Sequence, residues 1–152
     1  MSRLVDLYAY RTGGEEVKIL ILKRSPDVMY AGQWRMIGGK VESGEKAYEA
    51  AQRELSEETG WKPQTFWTLP SVNQFYDVKS DTIQQIPAFA AEIATQSAPI
   101  NLNYEHVEAR WIRKEQISDY IWWPEQRRLM KLLISIVTQN KLLDEWIIPN
   151  KS

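Results

Sequence analysis

The chain lacks cysteine and has only one histidine, and these scarcities exclude whole classes of site. Without cysteine, neither a disulfide framework nor a cysteine zinc site can form. The 19 basic and 20 acidic side chains give a net charge of −1, so no broad attraction to nucleic acid or to a membrane surface is expected. No apolar run approaches the length of a membrane span. We therefore expect neither a nucleic-acid nor a membrane partner.

The chain begins with Met1-Ser2-Arg3, which lacks the apolar segment of a secretion signal, so a cytoplasmic protein is expected. Its length of 152 residues, with 43% apolar and 26% charged residues, suits one globular domain spanning residues 1–152. Seven tryptophans are many for this size, and some are candidates for a wall on which a flat ligand stacks.

Hydrophobic periodicity and turn signals predict strands interleaved with two long helices and one short helix. A turn is predicted at Thr12–Glu15, and Pro87 indicates an edge strand or a bulge. The pattern favours an α/β sandwich with a mixed β-sheet. The predicted strands are Leu4–Tyr10, Val17–Leu22, Trp34–Ile37, Phe66–Leu69, Val72–Tyr76, Ile83–Ile93 and Val107–Ile112. The predicted helices are Glu45–Thr59, Lys114–Asp119 and a last helix that begins at Pro124.

A glycine-containing loop precedes the first predicted helix. Glycines permit a close approach of the backbone to a ligand, and Ser43 or Gly44 is the expected N-cap, which places Glu45 in the first turn. Gly60 is the expected helix stop.

Three acids on that helix, Glu54, Glu57 and Glu58, are spaced to share one face. Because this face adjoins the apolar stripe, the carboxylates would lose solvation and repel one another unless they take up protons or a cation. A hard divalent ion such as Mg²⁺ suits clustered carboxylate oxygens. The alternative is a solvated acidic face with ion pairs from Arg53 to Glu49 and Glu57.

The whole stretch resembles the Nudix box. The match comprises Gly39, Glu45, Arg53-Glu54-Leu55, Glu57-Glu58 and Gly60, with Trp61 where an aliphatic residue is commoner. The resemblance implies a mixed sheet between helices and hydrolysis of a nucleoside diphosphate linked to another group. It also implies that Glu54, Glu57 and Glu58 ligate the metal, that Glu45 and Arg53 orient the loop and helix, and that a carbonyl near Gly38-Gly39 joins the metal shell.

A second, shorter pattern combines Glu105-His106 with Trp111. It resembles family members that act on nucleoside triphosphates, dihydroneopterin triphosphate or dinucleoside polyphosphates. The resemblance makes Glu105 an additional metal ligand or the general base, and the choice of base between Glu54 and Glu105 stays open. His106 is interpreted as a structural residue.

The expected substrate contacts are cationic and aromatic side chains near predicted loops or strand ends. Arginine matches phosphate oxygens well, although a solvated surface role is the alternative for each cation. The substrate-binding candidates are Arg24, Arg35, Lys40 and Tyr76, and the stacking candidates are Phe75, Tyr76, Trp122 and Trp123. The catalytic candidates are Arg53, Glu54, Glu57, Glu58 and Glu105, the metal candidates Gly39, Glu54, Glu57, Glu58 and Glu105, and the loop-supporting candidates Gly38, Gly39 and Glu45.

The resulting hypothesis is a Mg²⁺-dependent pyrophosphohydrolase, with Mn²⁺ as an alternative metal. Its substrate resembles a nucleoside triphosphate, for example dATP or dihydroneopterin triphosphate, and its products are a monophosphate and pyrophosphate. The alternatives are a dinucleoside polyphosphate hydrolase and a nucleotide sensor without turnover. A homodimer is compatible with the sequence.

Overall fold

A computed structural model describes residues 3–14 and 16–149. Its seven strands form one mixed sheet, with β3, β2, β1, β6 and β5 in that order, β4 beside β1 and β7 beside β2. The strands pair antiparallel except β1 with β6, which run parallel. The strands are β1 Leu4–Gly13, β2 Glu16–Arg24, β3 Trp34–Arg35, β4 Ile37–Lys40, β5 Thr65–Asp77, β6 Thr82–Glu92 and β7 His106–Ile112.

Three α-helices complete the described chain: α1 Ala47–Thr59, α2 Ile117–Tyr120 and α3 Pro124–Thr138. A 3₁₀ turn at Lys114–Gln116 precedes α2, and another lies at Asp144–Trp146. Helix α1 packs on one face of the sheet, and α2 and α3 pack on the other. The α/β sandwich with a mixed sheet is therefore confirmed.

Strand β1 divides its side chains between the two layers because successive strand residues point to opposite faces. Val5, Leu7 and Ala9 join the core under α1, whereas Tyr8 and Tyr10 join the core under α3. Asp6 has the same parity as the two tyrosines and is 4% exposed. An acid thus occupies a buried position on the α3 side of the sheet.

Two predicted strands are in fact a single strand. Phe66–Leu69 and Val72–Tyr76 are one continuous strand, β5, in which a register shift between Thr68 and Val72 accommodates Pro70. Pro87 lies opposite Val72 at this irregularity, as expected of a bulge. The pairing of β6 with β1 begins at Ala88, so Pro87 lies just before the part of β6 that has a paired strand on both sides. The predicted turn at Thr12–Glu15 lies partly outside the described residues, at Glu15.

The start of α1 also differs from the prediction. The helix begins at Ala47, and the backbone N–H of its N-cap residue Lys46 donates to the Glu49 carboxylate at 2.9 Å. Neither Ser43 nor Gly44 caps the helix, because Gly44 has a φ of 81° and belongs to the preceding turn. Glu45 closes that turn by accepting from the Glu42 N–H at 2.9 Å, so it precedes the helix.

The predicted end of α1 is confirmed. Gly60 has a φ of 77°, a left-handed conformation that favours glycine, and its N–H donates to the Ser56 carbonyl at 2.8 Å. Trp61 then stacks on Trp111, with ring centroids 5.9 Å apart. The unusual tryptophan at the end of the Nudix box is therefore half-buried and packs, with Trp111, against the core under α1.

Candidate active site

The loop before α1 is held to the helix by Arg53. Its guanidinium binds both oxygens of Glu45, with Nε at 2.8 Å and Nη2 at 3.1 Å, and Nη2 also donates to the Lys40 carbonyl at 2.9 Å. This paired geometry is specific to arginine. The structure thus places Glu45 and Arg53 where they fix the loop against the helix.

The same guanidinium also engages two of the box acids. Its Nη1 lies 3.0 Å from Glu54 Oε1 and 3.3 Å from Glu57 Oε2. Glu54 is mostly buried, while the Glu57 side chain is 56% exposed. The three acids therefore share one side of α1 at very different depths, and the expectation of an Arg53–Glu57 ion pair is met at the same time.

Glu54 packs directly against Gly39 of strand β4. A Cβ added to Gly39 would overlap the Glu54 carboxyl group, so any other residue at this position would force the Glu54 side chain to move. Burial raises the pKa of Glu54 to about 7, and the charge and hydrogen bond of Arg53 only partly offset burial. Gly39 is thus explained by close approach, and Glu54 has the environment expected of a proton acceptor or a cation ligand.

Glu58 lies at the other end of the acidic stripe and is 4% exposed. Burial alone would raise its pKa, but His106, Asn103 and the charge of Arg24 outweigh burial and lower it. His106 Nδ1 lies 2.9 Å from Glu58 Oε2, although the two atoms are not aligned for a hydrogen bond. Glu58 therefore stays ionised within a buried wall.

His106 connects Glu58 to the second sequence pattern. Arg24 Nη1 lies 3.4 Å from His106 Nε2 and 3.2 Å from Glu105 Oε2. Since a guanidinium only donates, Nε2 is the accepting nitrogen and Nδ1 carries the proton that faces Glu58. His106 holds neighbouring groups in place, in line with the structural role expected for it.

A cavity of about 410 Å³ opens beside these groups, on the α3 side of the sheet. Six of the predicted site residues line this cavity together with His106. They are Arg24, Arg35, Gly38, Gly39, Lys40 and Glu105. The three box acids are not among the lining residues, but Glu54 packs against Gly39 and Glu58 lies against His106, and both of these residues line the cavity.

The aromatic wall of the cavity differs from the prediction in part. Phe75 and Trp123 line the cavity, whereas Tyr76 and Trp122 do not. Tyr76 is 54% exposed, and its hydroxyl donates to Asp81 at 2.7 Å, since neighbouring strand residues point to opposite faces. The structure therefore brings Phe75, not Tyr76, to the site.

Sequence reasoning missed several lining residues. Tyr30 packs edge-on against Trp123 at 5.9 Å, and Asp6, Asn73 and Gln126 form a polar floor. An acid in the middle of the apolar run Leu4–Tyr10 is the signal that could have revealed Asp6. The other three lie on a loop, a strand and a helix, and only the tertiary fold brings them together.

The donor set can be compared with the requirements of a metal ion. Carboxylate oxygens at Glu54, Glu57 and Glu58 suit a hard divalent cation. Among residues 3–14 and 16–149, however, no three acid or histidine groups are already grouped as a metal site. Glu54 and Glu57 both contact Arg53 Nη1, and Glu58 Oε2 lies 2.9 Å from His106 Nδ1.

No helix within the described part of the chain combines the length and apolarity needed to cross a bilayer.

Solved structures share the fold. A Nudix hydrolase from Listeria monocytogenes superposes with a TM-score of 0.76 at 20% identity, covering 91% of this chain and 95% of that one.

Curated proteins are similar at the sequence level. An oxidized purine nucleoside triphosphate hydrolase from Mus musculus is 30% identical over 104 residues, which are 68% of this chain and 64% of that protein. A nucleoside triphosphatase from Escherichia coli is 27% identical over 111 residues, 68% of this chain and 78% of that protein. An octanoyltransferase from Myxococcus xanthus is 28% identical over 117 residues, 72% of this chain but only 30% of that longer protein.

The family model for the NUDIX domain matches residues 3–133, which include every candidate acid and every residue that lines the cavity. This match covers well over half of the chain, and the solved structures agree with it in fold. The chain belongs to the Nudix family.

Proposed function

We propose that this chain is a Mg²⁺-dependent pyrophosphohydrolase that cleaves a nucleoside-triphosphate-like substrate into a monophosphate and pyrophosphate. One observation carries the proposal: a single cavity joins an aromatic wall of Tyr30, Phe75 and Trp123 to a cationic end that adjoins the box acids. A flat ring fits the first and a phosphate chain fits the second. The mouse and E. coli relatives, named for nucleoside triphosphate hydrolysis, support the same substrate class.

At the phosphate end, Arg24 and Lys40 offer positive charge to the phosphate oxygens. Arg24 is already held by the Met29 carbonyl at 3.1 Å and by Glu105, so it is positioned before substrate arrives. Phosphoryl transfer depends mainly on positioning and electrostatics, and a preset guanidinium supplies both.

Nudix enzymes generally use divalent metal ions. Glu54, Glu57 and Glu58 are the residues that would hold one here, with the backbone of Gly39 beside them and Glu105 within the cavity. When bound, such an ion neutralises phosphate charge and makes a water molecule a better nucleophile. Glu54 and Glu105 are the two candidates for accepting the proton of that water, since one is buried with a raised pKa and the other lines the cavity.

The test is hydrolysis of a nucleotide panel by the full chain in Mg²⁺, with products separated by chromatography. We expect deoxynucleoside monophosphate and pyrophosphate. Release of inorganic phosphate alone would place the cleavage elsewhere, and preferential cleavage of a dinucleoside polyphosphate would identify that substrate class instead. A panel without any turnover would favour a nucleotide sensor.

Two substitutions connect turnover to the acids. Glu58→Gln should abolish most turnover in saturating Mg²⁺ while the folded state persists, and a wild-type rate would refute its assignment. Gly39→Ala should also lower turnover strongly because the new methyl group displaces Glu54. Gly13→Ala is the matched control, because a Cβ at Gly13 meets no atom within 4 Å.

A further inference from the structure

The floor of the cavity contains a buried acid that the proposed chemistry does not use. Asp6 lies on β1 and is 4% exposed. Asn73 Nδ2 donates to Asp6 Oδ2 at 2.9 Å, and within residues 3–14 and 16–149 no cation lies within ion-pair distance. A buried carboxylate with one hydrogen bond lowers the stability of the folded state. Asp6 Oδ1 can therefore accept a strong hydrogen bond from a ligand.

Arg35 provides a donor that is equally unused. Its guanidinium lies 4.4 Å from the ring centroid of Tyr30 and 5.9 Å from that of Trp123. It forms no ion pair with any described residue, and its Nε is buried without a hydrogen-bond partner. Stacking holds the flat group in place while its Nη donors stay available to a ligand in the cavity.

Gln126, near the start of α3, adds a third unpaired group. The side chain is 1% exposed, and its Oε1 has no hydrogen-bond partner. Buried polar groups in folded proteins are nearly always paired, so three incompletely paired groups that line one cavity, Asp6, Arg35 and Gln126, indicate that a ligand supplies the missing partners. The walls around them are apolar and aromatic, so that ligand end is a flat ring with a polar edge.

The chemistry of the floor selects among ring edges. An ionised carboxylate only accepts hydrogen bonds, so Asp6 fits an edge with two adjacent N–H groups. Guanine and pterins offer this edge, an amino group next to a ring N–H, followed by a carbonyl oxygen that suits the donors of Arg35 or Asn73. Adenine offers an amino group next to a bare ring nitrogen, whose lone pair would face the carboxylate and repel it.

We propose that Asp6, supported by Asn73 and Arg35, selects substrates whose ring has the 2-amino-oxo edge shared by guanine and pterins over substrates with the adenine edge. The inference rests on the proposed function and narrows its substrate class. It makes Asp6 a specificity-determining residue, which lies on β1 directly opposite Gly38 of β4.

The test is a series of three triphosphates that differ only at this edge. dGTP has the amino group, the ring N–H and the carbonyl; dITP lacks the amino group; dATP lacks the N–H and the carbonyl as well. We expect kcat/KM to fall in the order dGTP, dITP, dATP, with dGTP favoured over dATP by about tenfold or more, as for loss of a paired hydrogen bond. A wild-type preference for dATP, or equal use of all three, would overturn the inference without needing any variant.

Asp6→Asn supplies the second arm, because it keeps the shape but replaces an acceptor by a donor. The ratio of kcat/KM for dGTP to that for dATP should fall about tenfold or more in this variant. Asp119→Asn, the same change at an exposed position of α2, should leave the ratio unchanged. An unchanged ratio in Asp6→Asn would refute the role of Asp6. If Asp6→Asn does not fold, Arg35→Gln tests the same edge from the carbonyl side and should also lower the ratio.

A binding measurement separates this inference from the proposed function. Titration of the wild-type chain with dGMP and with dAMP, followed by tryptophan fluorescence, needs neither metal nor turnover. Tighter binding of dGMP supports the inference even if no triphosphate is cleaved, in which case only the proposed function fails. Equal binding, together with normal cleavage of triphosphates, overturns the inference and leaves the proposed function intact.

Discussion

Asp6 makes the stability of this protein depend on pH in a way that one substitution can isolate. Burial, the largest effect, raises the pKa of Asp6 from 3.8 to about 6, against the hydrogen bond from Asn73 and the charge of Arg35. In the unfolded chain the carboxyl group ionises near its ordinary pKa. Well below pH 4 it is protonated in both states, and burial then imposes no charge penalty on the folded state.

As the pH rises from about 4 to 6, the unfolded chain loses this proton before the folded chain does. The unfolded state binds fewer protons in that window, so the free energy of unfolding falls with pH. A pKa shift of roughly two units lowers the free energy of unfolding by about 3 kcal/mol once the pH is well above 6. Asp6→Asn cannot ionise and keeps a carbonyl oxygen for Asn73, so it should escape this loss.

The assay is urea unfolding of the wild type and Asp6→Asn between pH 4 and 7, followed by tryptophan fluorescence. The free energy of unfolding of the variant minus that of the wild type should rise by about 2 kcal/mol across this range, because a small part of the loss already occurs below pH 4. Other acids titrate in both proteins and cancel in the difference. A difference that is flat or falls with pH would show that Asp6 is not a buried, desolvated acid, and Asp119→Asn should give a flat difference.

Two further predictions concern other unusual groups. The Tyr8 hydroxyl is fully buried without a hydrogen-bond partner, whereas the Tyr10 hydroxyl accepts from Trp67 Nε1 at 3.0 Å. Tyr8→Phe should therefore leave the free energy of unfolding unchanged or raise it by about 1 kcal/mol, and Tyr10→Phe should lower it by about 1 kcal/mol; equal losses in urea unfolding would contradict the assignment. Glu54→Gln and Glu105→Gln should differ in their pH–rate profiles, because only loss of the general base removes the acidic limb, and profiles that both keep it would exclude both acids.

The Nudix box could be predicted because its parts are close in sequence and because each has a local physical reason. Gly39 and Glu54 are separated by 15 residues, yet one turn and one helix suffice to bring them into contact. The helix start was predicted wrongly because Glu45 looked like a first-turn acid, whereas its carboxylate is bound by Arg53 eight residues later. A side chain engaged in a tertiary contact overrides its local helix preference.

The ring end of the cavity could not be predicted in the same way. Tyr30, Asn73 and Gln126 come from a loop, a strand and a helix, and no local pattern relates their positions. Phe75 and Tyr76 are both stacking candidates from the sequence because both are aromatic. The sequence does not reveal which of two neighbouring strand residues faces the cavity when strand β5 carries an irregularity upstream.

The β1–β4 ladder fixes how far the ring end lies from the phosphate end. Asp6 stands opposite Gly38, and the next residue, Gly39, is the one packed against Glu54. The acceptor for the ring edge and the acid proposed to serve the phosphates are therefore set by one stretch of backbone hydrogen bonds, not by flexible loops. A slip of one residue in β1 would turn Asp6 to the α1 face and bring an apolar neighbour to the cavity floor, because strand side chains alternate. Ring selection and phosphate positioning thus depend on the same register, which explains why a costly buried acid can be kept at this point of an otherwise apolar strand.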